Sequence, residues 1–200
     1  MSFRHHLYPP VSIIVAVDSD GGFGKDGKIP WHIPEDMKHF NEKTKGGVCV
    51  MGRRTYTDML ELWKEREAKK KKKKKDTEPK QILANRESFV VSSDPDLYCP
   101  GAKRVRNLTA AIQECPEGDE REIFVIGGYR MFIEALSHGG SIYMTFIKGK
   151  PYDCSVKFPI QVLNKHYKIV EGRETKKCYY VTYKPMRRTI NETIRTRRHP

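Results

Sequence analysis

Asp36 is the residue around which a chemistry can be built. It follows Pro34 at the start of a segment whose apolar residues Met37 and Phe40 recur at helical spacing, so it sits in a first turn, at the border of an apolar surface. The spacing predicts that Met37 and Phe40 face the interior, and that Glu35 points about 100° away from Asp36, towards solvent. A carboxylate at the edge of an apolar slot can hydrogen-bond a cationic or amidine-like ligand; taken alone, it is equally the ordinary partner of a helix dipole. Two further segments, Gly52-Arg53-Arg54-Thr55 and Gly127-Gly128, each follow a buried apolar run and open a helical pattern. Free backbone N–H groups at such turns suit an anion, and the first adds two guanidinium groups and a hydroxyl. Each alone reads as a tight turn or a solvated helix end; both in one domain favour a ligand with several phosphates. Gly22-Phe23-Gly24-Lys25-Asp26-Gly27 matches G-x-G-x-x-G, but it leads into Lys28-Ile29-Pro30 and Pro34 instead of a helix. It is a glycine-rich loop, not a dinucleotide fingerprint. His32 and His39 have no third ligand at zinc spacing; they read as surface or loop residues, and no metal is expected.

The elements that must position these groups alternate. Val11 to Val17 is a β-branched run bounded by Pro9-Pro10 and by a long loop from Asp18 to Lys28. Strands follow at Val48 to Met51, Phe89 to Val91, Glu122 to Ile126 and Ile142 to Ile147. Helical patterns lie between them: Tyr56 to Trp63, Leu108 to Cys115 with Asn107 as N-cap, and Met131 to Leu136. Strand and helix in alternation imply crossovers and a largely parallel sheet. Tyr167 to Glu171 and Tyr179 to Tyr183, joined by a charged turn, predict an antiparallel hairpin at its edge. Between Glu61 and Lys80 almost every residue is charged, which reads as a solvated insertion or a fraying helix.

The chain has 200 residues, enough for one well-buried domain, and a formal charge of +13. Lys69 to Lys75 supplies seven of those charges and the tail from Pro185 to Pro200 another four, leaving two for the rest. Basicity confined to two segments does not make a nucleic-acid-binding face, so nucleic acid is not an expected partner. No run suits a membrane span or signal peptide, and the five cysteines are odd in number and scattered. The expectation is a cytoplasmic protein with reduced thiols.

Ile29-Pro30-Trp31-His32-Ile33-Pro34-Glu35-Asp36 with Phe40, then Val50-Met51-Gly52-Arg53-Arg54-Thr55-Tyr56, then Phe124-Val125-Ile126-Gly127-Gly128 together resemble the dihydrofolate reductase family, in order and spacing, over about Val11 to Tyr183. The resemblance implies a single α/β domain: a central, mostly parallel sheet of about eight strands, an antiparallel C-terminal hairpin and four main helices. The domain would span 1–184, with a lysine-rich insertion at about 64–80 and a basic tail at 185–200. The implied reaction is hydride transfer from NADPH to 7,8-dihydrofolate by a protein acting as a monomer and open to antifolate inhibitors.

By the same resemblance, Asp36 would bind the pterin's 2-amino group and N3 and promote protonation at N5, with Thr145 orienting it and Trp31 holding a water. Met37, Phe40 and Leu83 would line the slot, Ile14 and Ile126 would touch the pterin edge, and Arg86 would pair the α-carboxylate of the glutamate tail. Arg53, Arg54, Thr55, Ser92 and Ser93 would hold cofactor phosphates, Arg54 taking the 2′-phosphate; Gly127, Gly128, Tyr129 and Arg130 would lie near the pyrophosphate, and Ala16 and Gly24 would complete the cofactor site. The loop from Asp18 to Lys28 would be a lid. Ala84-Asn85 replaces a common proline-glycine pair, and Ser155 stands where an Asp that contacts the lid is common. A pyrimidine reductase of the riboflavin pathway shares the architecture and cofactor, but is not expected to carry the Trp31-x-x-Pro-x-Asp36 helix start or Arg86.

Overall fold

The computed structural model describes residues 9–69 and 77–186; Lys70 to Lys75 and most of the basic tail lie outside them. Ten strands and five helices follow in the order β1 (Val11–Val17), β2 (Gly22–Gly24), α1 (Pro34–Thr44), β3 (Val48–Gly52), α2 (Arg53–Ala68), β4 (Glu87–Val91), β5 (Lys103–Val105), α3 (Leu108–Gln113), β6 (Ile123–Gly127), α4 (Tyr129–Leu136), β7 (Ile142–Ile147), β8 (Val156–Lys157), α5 (Ile160–His166), β9 (Tyr167–Glu174) and β10 (Cys178–Pro185). Eight strands form one sheet in the order β5-β4-β3-β6-β1-β7-β10-β9, parallel except where β10 runs against both of its neighbours. The expected α/β sheet with its antiparallel end is therefore present.

Strand β1 lies at the middle and is apolar on both faces, as a strand covered by helices on each side must be. Its side chains alternate. Ile13, Val15 and Val17 join the core under α3, α4 and α5, with Leu108, Phe132 and Leu163, whereas Ile14 faces the α1 and α2 side with Cys49, Met51, Phe124 and the half-buried Phe40. Ala16, two residues on, shares that second face and meets Trp31 and Ile33. Asn107 caps α3 as expected, its side chain accepting from the Ala110 N–H at 2.8 Å, a cap contributing about 1 kcal/mol.

The sequence reading missed four short elements: β2 and β8, which pair with each other, β5, and α5. Of the two readings of the charged stretch after Glu61, the helix extension holds as far as Ala68, and the departure is that Glu67, 6% exposed, and Pro79 are buried. The last hairpin is also tighter than expected, since β9 runs on to Glu174 and leaves only Thr175 to Lys177 as the turn.

Candidate active site

The pleat gathers the central residues. Ala16 and Thr145 are register partners on the parallel pair β1 and β7, as are Ile14 and Tyr143. Asp36 leans towards this face from α1. Burial pushes its carboxyl above the usual range, the Thr145 hydroxyl bonded to it pulls the other way, and the nearby Glu35 charge raises it further. Thr145 itself is 4% exposed, so its hydroxyl has little access to water. Trp31 is half-buried, its ring centroid 5.1 Å from that of Tyr152. Glu35 is not the solvated neighbour expected: its carboxylate accepts from Thr175 Oγ1 at 2.8 Å, which holds its pKa down. His39, expected at the surface, is half-buried and packs on Tyr180 with centroids 4.3 Å apart.

Ile126 falls where one extra residue interrupts the pairing of β6 with β3, and it is half-buried on the same face as Phe124 and Ile14. Leu83 and Ile14 are buried in the core beneath it. Met37 departs from expectation, being 45% exposed. It faces an open groove of about 590 Å³ between α1 and the segment Ala84-Asn85-Arg86 because it lies beside Lys38 and Asn41 on the outer side of α1.

Arg86 is the most informative side chain of that groove. It is 8% exposed; Nη1 donates to Ala84 O at 3.0 Å, and Nη2 donates to Asn41 O at 2.7 Å and to Asn41 Oδ1 at 3.1 Å. Its guanidinium lies over the Phe40 ring at 5.7 Å, and its buried Nε has no partner. An unanswered N–H on a buried cation at a groove is the signature expected of a site for a carboxylate. Asn41, which positions Arg86, was not foreseen, although its place one turn after Met37 puts it on the same helical stripe. Asn85 has φ +60°, a left-handed conformation that Asn tolerates, so it can stand where glycine is common.

The two phosphate turns are neighbours. A Cβ on Gly127, at φ +148°, would meet Thr55 Oγ1 at 2.9 Å, and one on Gly52 would lie 3.7 Å from Gly128 N. The Gly127-Gly128 peptide is cis. Gly52 and Gly128 are the N-caps of α2 and α4, and neither helix start carries a side-chain cap, so their first N–H groups are free to meet anions. Gly24 and Thr55 are half-buried, while Tyr129 and Arg130 are exposed at the start of α4. The two arginines diverge. Arg53 Nη1 lies 3.4 Å from Asp94 Oδ2, beside the buried Ser92 and exposed Ser93 at the end of β4, whereas Arg54 lies next to Gly27 and Asp58. This donor set fits a dinucleotide carrying several phosphates.

The loop from Asp18 to Lys28 is more tightly held than the sequence implied. Asp18, 1% exposed, accepts from Asp20 N at 2.9 Å, Gly22 N at 2.7 Å and Tyr152 N at 2.9 Å. Ser155 N donates to Gly24 O at 3.0 Å, and Lys25 pairs with Asp153. Thus backbone bonds and Asp18 tether the loop although Ser155 brings no carboxylate. The signal was an Asp at a loop entry followed by Ser-Asp-Gly-Gly.

The fold and the paired, uncapped helix starts suit an α/β enzyme that uses a nucleotide. A family model described as dihydrofolate reductase matches residues 10–69 and 72–188. The dihydrofolate reductase of Bacillus subtilis is 31% identical over 137 residues, 68% of each chain, and that of Buchnera aphidicola is 26% identical over 183 residues, 89% of this chain and 98% of its own. A solved structure, dihydrofolate reductase from Enterococcus faecalis complexed with NADP(H) and RAB-propyl, superposes with a TM-score of 0.66 at 26% identity, covering 90% of this chain and 99% of its own. The chain belongs to the dihydrofolate reductase family. It is an NADPH-dependent enzyme that reduces 7,8-dihydrofolate to tetrahydrofolate.

Proposed function

We propose that Asp36 is the single acid of this reaction, and that the surrounding chain binds and orients around it. The observation that carries this reading is the carboxyl of Asp36 itself: burial raises its pKa and the Thr145 hydroxyl bonds it, while the neighbouring carboxylate of Glu35 is engaged by Thr175. Asp36 accepts from the pterin's 2-amino group and N3, and its charge raises the basicity of N5, to which water held near Trp31 gives a proton. Thr145 fixes the carboxylate's orientation. Ile14, Phe40, Leu83 and Ile126 exclude water from one side of the ring, and Met37 covers it from the groove. The nicotinamide of NADPH, when bound, would supply the hydride that C6 receives. Arg86 answers the tail carboxylate with its free Nε, and Thr55 and the N-termini of α2 and α4 hold the pyrophosphate.

The geometry favours Arg53 over Arg54 for the 2′-phosphate, because Arg53 lies towards Ser92, Ser93 and Asp94, away from the loop that covers the Ala16 side. Arg53→Ala should reduce the preference for NADPH over NADH by about tenfold or more, the scale of a charge-assisted bond, while Arg54→Ala weakens both cofactors. Specificity constants for each cofactor check this; an unchanged preference in Arg53→Ala refutes it.

We further infer a cytoplasmic monomer whose catalytic domain spans residues 1–184 with the lysine-rich segment as an insertion within it, the basic tail following it, and antifolates competing at the Asp36 slot. Five free thiols support a reducing compartment, and no helix among the described residues is long and apolar enough to cross a membrane.

A further inference from the structure

The first turn of α1 starts without a side-chain cap: Ile33 is its N-cap and Pro34 follows, so the turn is placed by what its side chains meet outside the helix. Ile33 packs with Cys178 and Tyr180 of β10, an apolar contact that has no preferred direction about the helix axis. Direction comes from two hydroxyls. The consecutive carboxylates of the turn are each answered by a threonine, Asp36 by Thr145 of β7 and Glu35 by Thr175 Oγ1 at 2.8 Å. Thr175 is aimed by its own turn between β9 and β10. Its Oγ1 accepts from Cys178 N at 3.1 Å, and its single proton goes to the charged Glu35 in preference to Cys178 O at 3.1 Å, which already accepts from Thr175 N at 2.8 Å. That turn is fixed in its place at the end of β7, where Lys148 N donates to Lys177 O at 2.8 Å and Lys148 Nζ donates to Thr175 O at 2.7 Å and pairs with Glu174. Thr145 and Thr175 therefore belong to one piece of sheet. Glu35 and Asp36 lie about 100° apart around the helix, so two bonds to that piece stop the turn from rotating, which one bond would not.

We propose that Thr175 is a positioning residue for the reduction: through Glu35 it sets the rotation of the first turn of α1, and so the aim of Asp36 at the pterin. The proposal rests on the Asp36 reading above. A group acting on a reacting ring must be held to within about 0.5 Å, so a turn free to rotate lowers the rate without abolishing binding. The bond that Glu35 accepts is what counts, and an amide oxygen at that position serves as well as a carboxylate.

The test measures the single-turnover rate of hydride transfer, KM for both ligands and the melting temperature, using the full chain. Glu35→Ala and Thr175→Val should each slow the transfer by about fivefold to tenfold with KM for NADPH unchanged, whereas Glu35→Gln and Thr175→Ser, which keep the acceptor and the donor, should stay within about twofold of wild type. Thr175→Val also strips Cys178 N of its partner, so Glu35→Ala, which leaves the hairpin turn intact, decides the matter if the valine variant melts early. The double variant should be no slower than the slower single one, and Glu35→Ala should cost nothing further in an Asp36→Asn background, a result that general loss of stability would not give. The role of Thr175 is overturned, and the Asp36 reading stands, if Glu35→Ala or a stably folded Thr175→Val keeps the wild-type rate, if Glu35→Gln is as slow as Glu35→Ala, or if the losses multiply with that of Asp36→Asn. If Asp36→Asn itself turns over within about fivefold of wild type, the Asp36 reading fails and this proposal falls with it.

Discussion

Asp36→Asn should lower turnover at neutral pH by about a hundredfold or more, the scale of lost acid–base assistance, and the loss should shrink as the pH falls. The amide keeps the size of the carboxyl and can still bond Thr145, but it carries no charge to raise the basicity of pterin N5. At low pH the free substrate is protonated before it binds, so the variant recovers rate that the wild type never needed. Stability should move the other way. Burial raises the Asp36 pKa in the folded protein, so the fold is favoured by protonation: that contribution is complete below the unfolded-state pKa and is lost as pH rises through the folded one. At neutral pH the ionised carboxyl is therefore a cost, and Asp36→Asn should melt no lower than wild type. Glu35→Gln provides the contrast, since its carboxylate is engaged by Thr175. Measured pH–rate profiles and melting curves decide the matter. An Asp36→Asn enzyme within fivefold of wild type, beside a dead Glu35→Gln enzyme, would put the wrong carboxylate in the site.

Arg86→Ala should raise KM for dihydrofolate by about tenfold to a hundredfold, the equivalent of about 1.5–3 kcal/mol for a charge-assisted bond, with little change in KM for NADPH. The guanidinium meets the groove from a buried position with Nε unanswered, so the incoming carboxylate replaces no existing protein bond at that atom. Arg86→Lys should not restore affinity. A point charge cannot satisfy Asn41 O, Ala84 O and a ligand in one planar array. Equal weakening of both ligands in steady-state kinetics would mean that the substitution had damaged the fold instead of the tail site.

Much of this arrangement was legible because periodicity survives the absence of a structure. The β-branched run from Val11 to Val17 marked the central strand, and Pro34 with two acids marked the start of α1. The errors fall where local pattern does not carry the deciding contact. Met37 has helical spacing, yet whether its side of α1 meets core or groove depends on how far away Ala84 to Arg86 lies. Glu67 belongs to a run of charges, yet it is buried where the chain returns at Glu78 to Gln81, a contact distant from it in sequence. The two-residue β8 has no periodicity at all; its pairing with Gly22–Gly24 is long-range. Asn41 acts on the guanidinium of Arg86 and Asp18 on the N–H of Tyr152, partners distant in sequence that residue type alone does not reveal.

The place of β10 has a consequence for how the protein is made. It is the last sheet strand in chain order, yet it lies inside the sheet, between β7 and β9, and β9 reaches the sheet only through it. Thr145, opposite Tyr180 across the β7–β10 pairing, therefore lacks its neighbour until that strand has left the ribosome. A nascent chain ending before Cys178 carries one strand, β9, that cannot dock and an exposed β7 edge, a surface prone to pairing with other chains. The catalytic face is thus completed after most of the chain has been synthesised, and a truncation just short of β10 should yield a chaperone client in place of a slightly weakened enzyme.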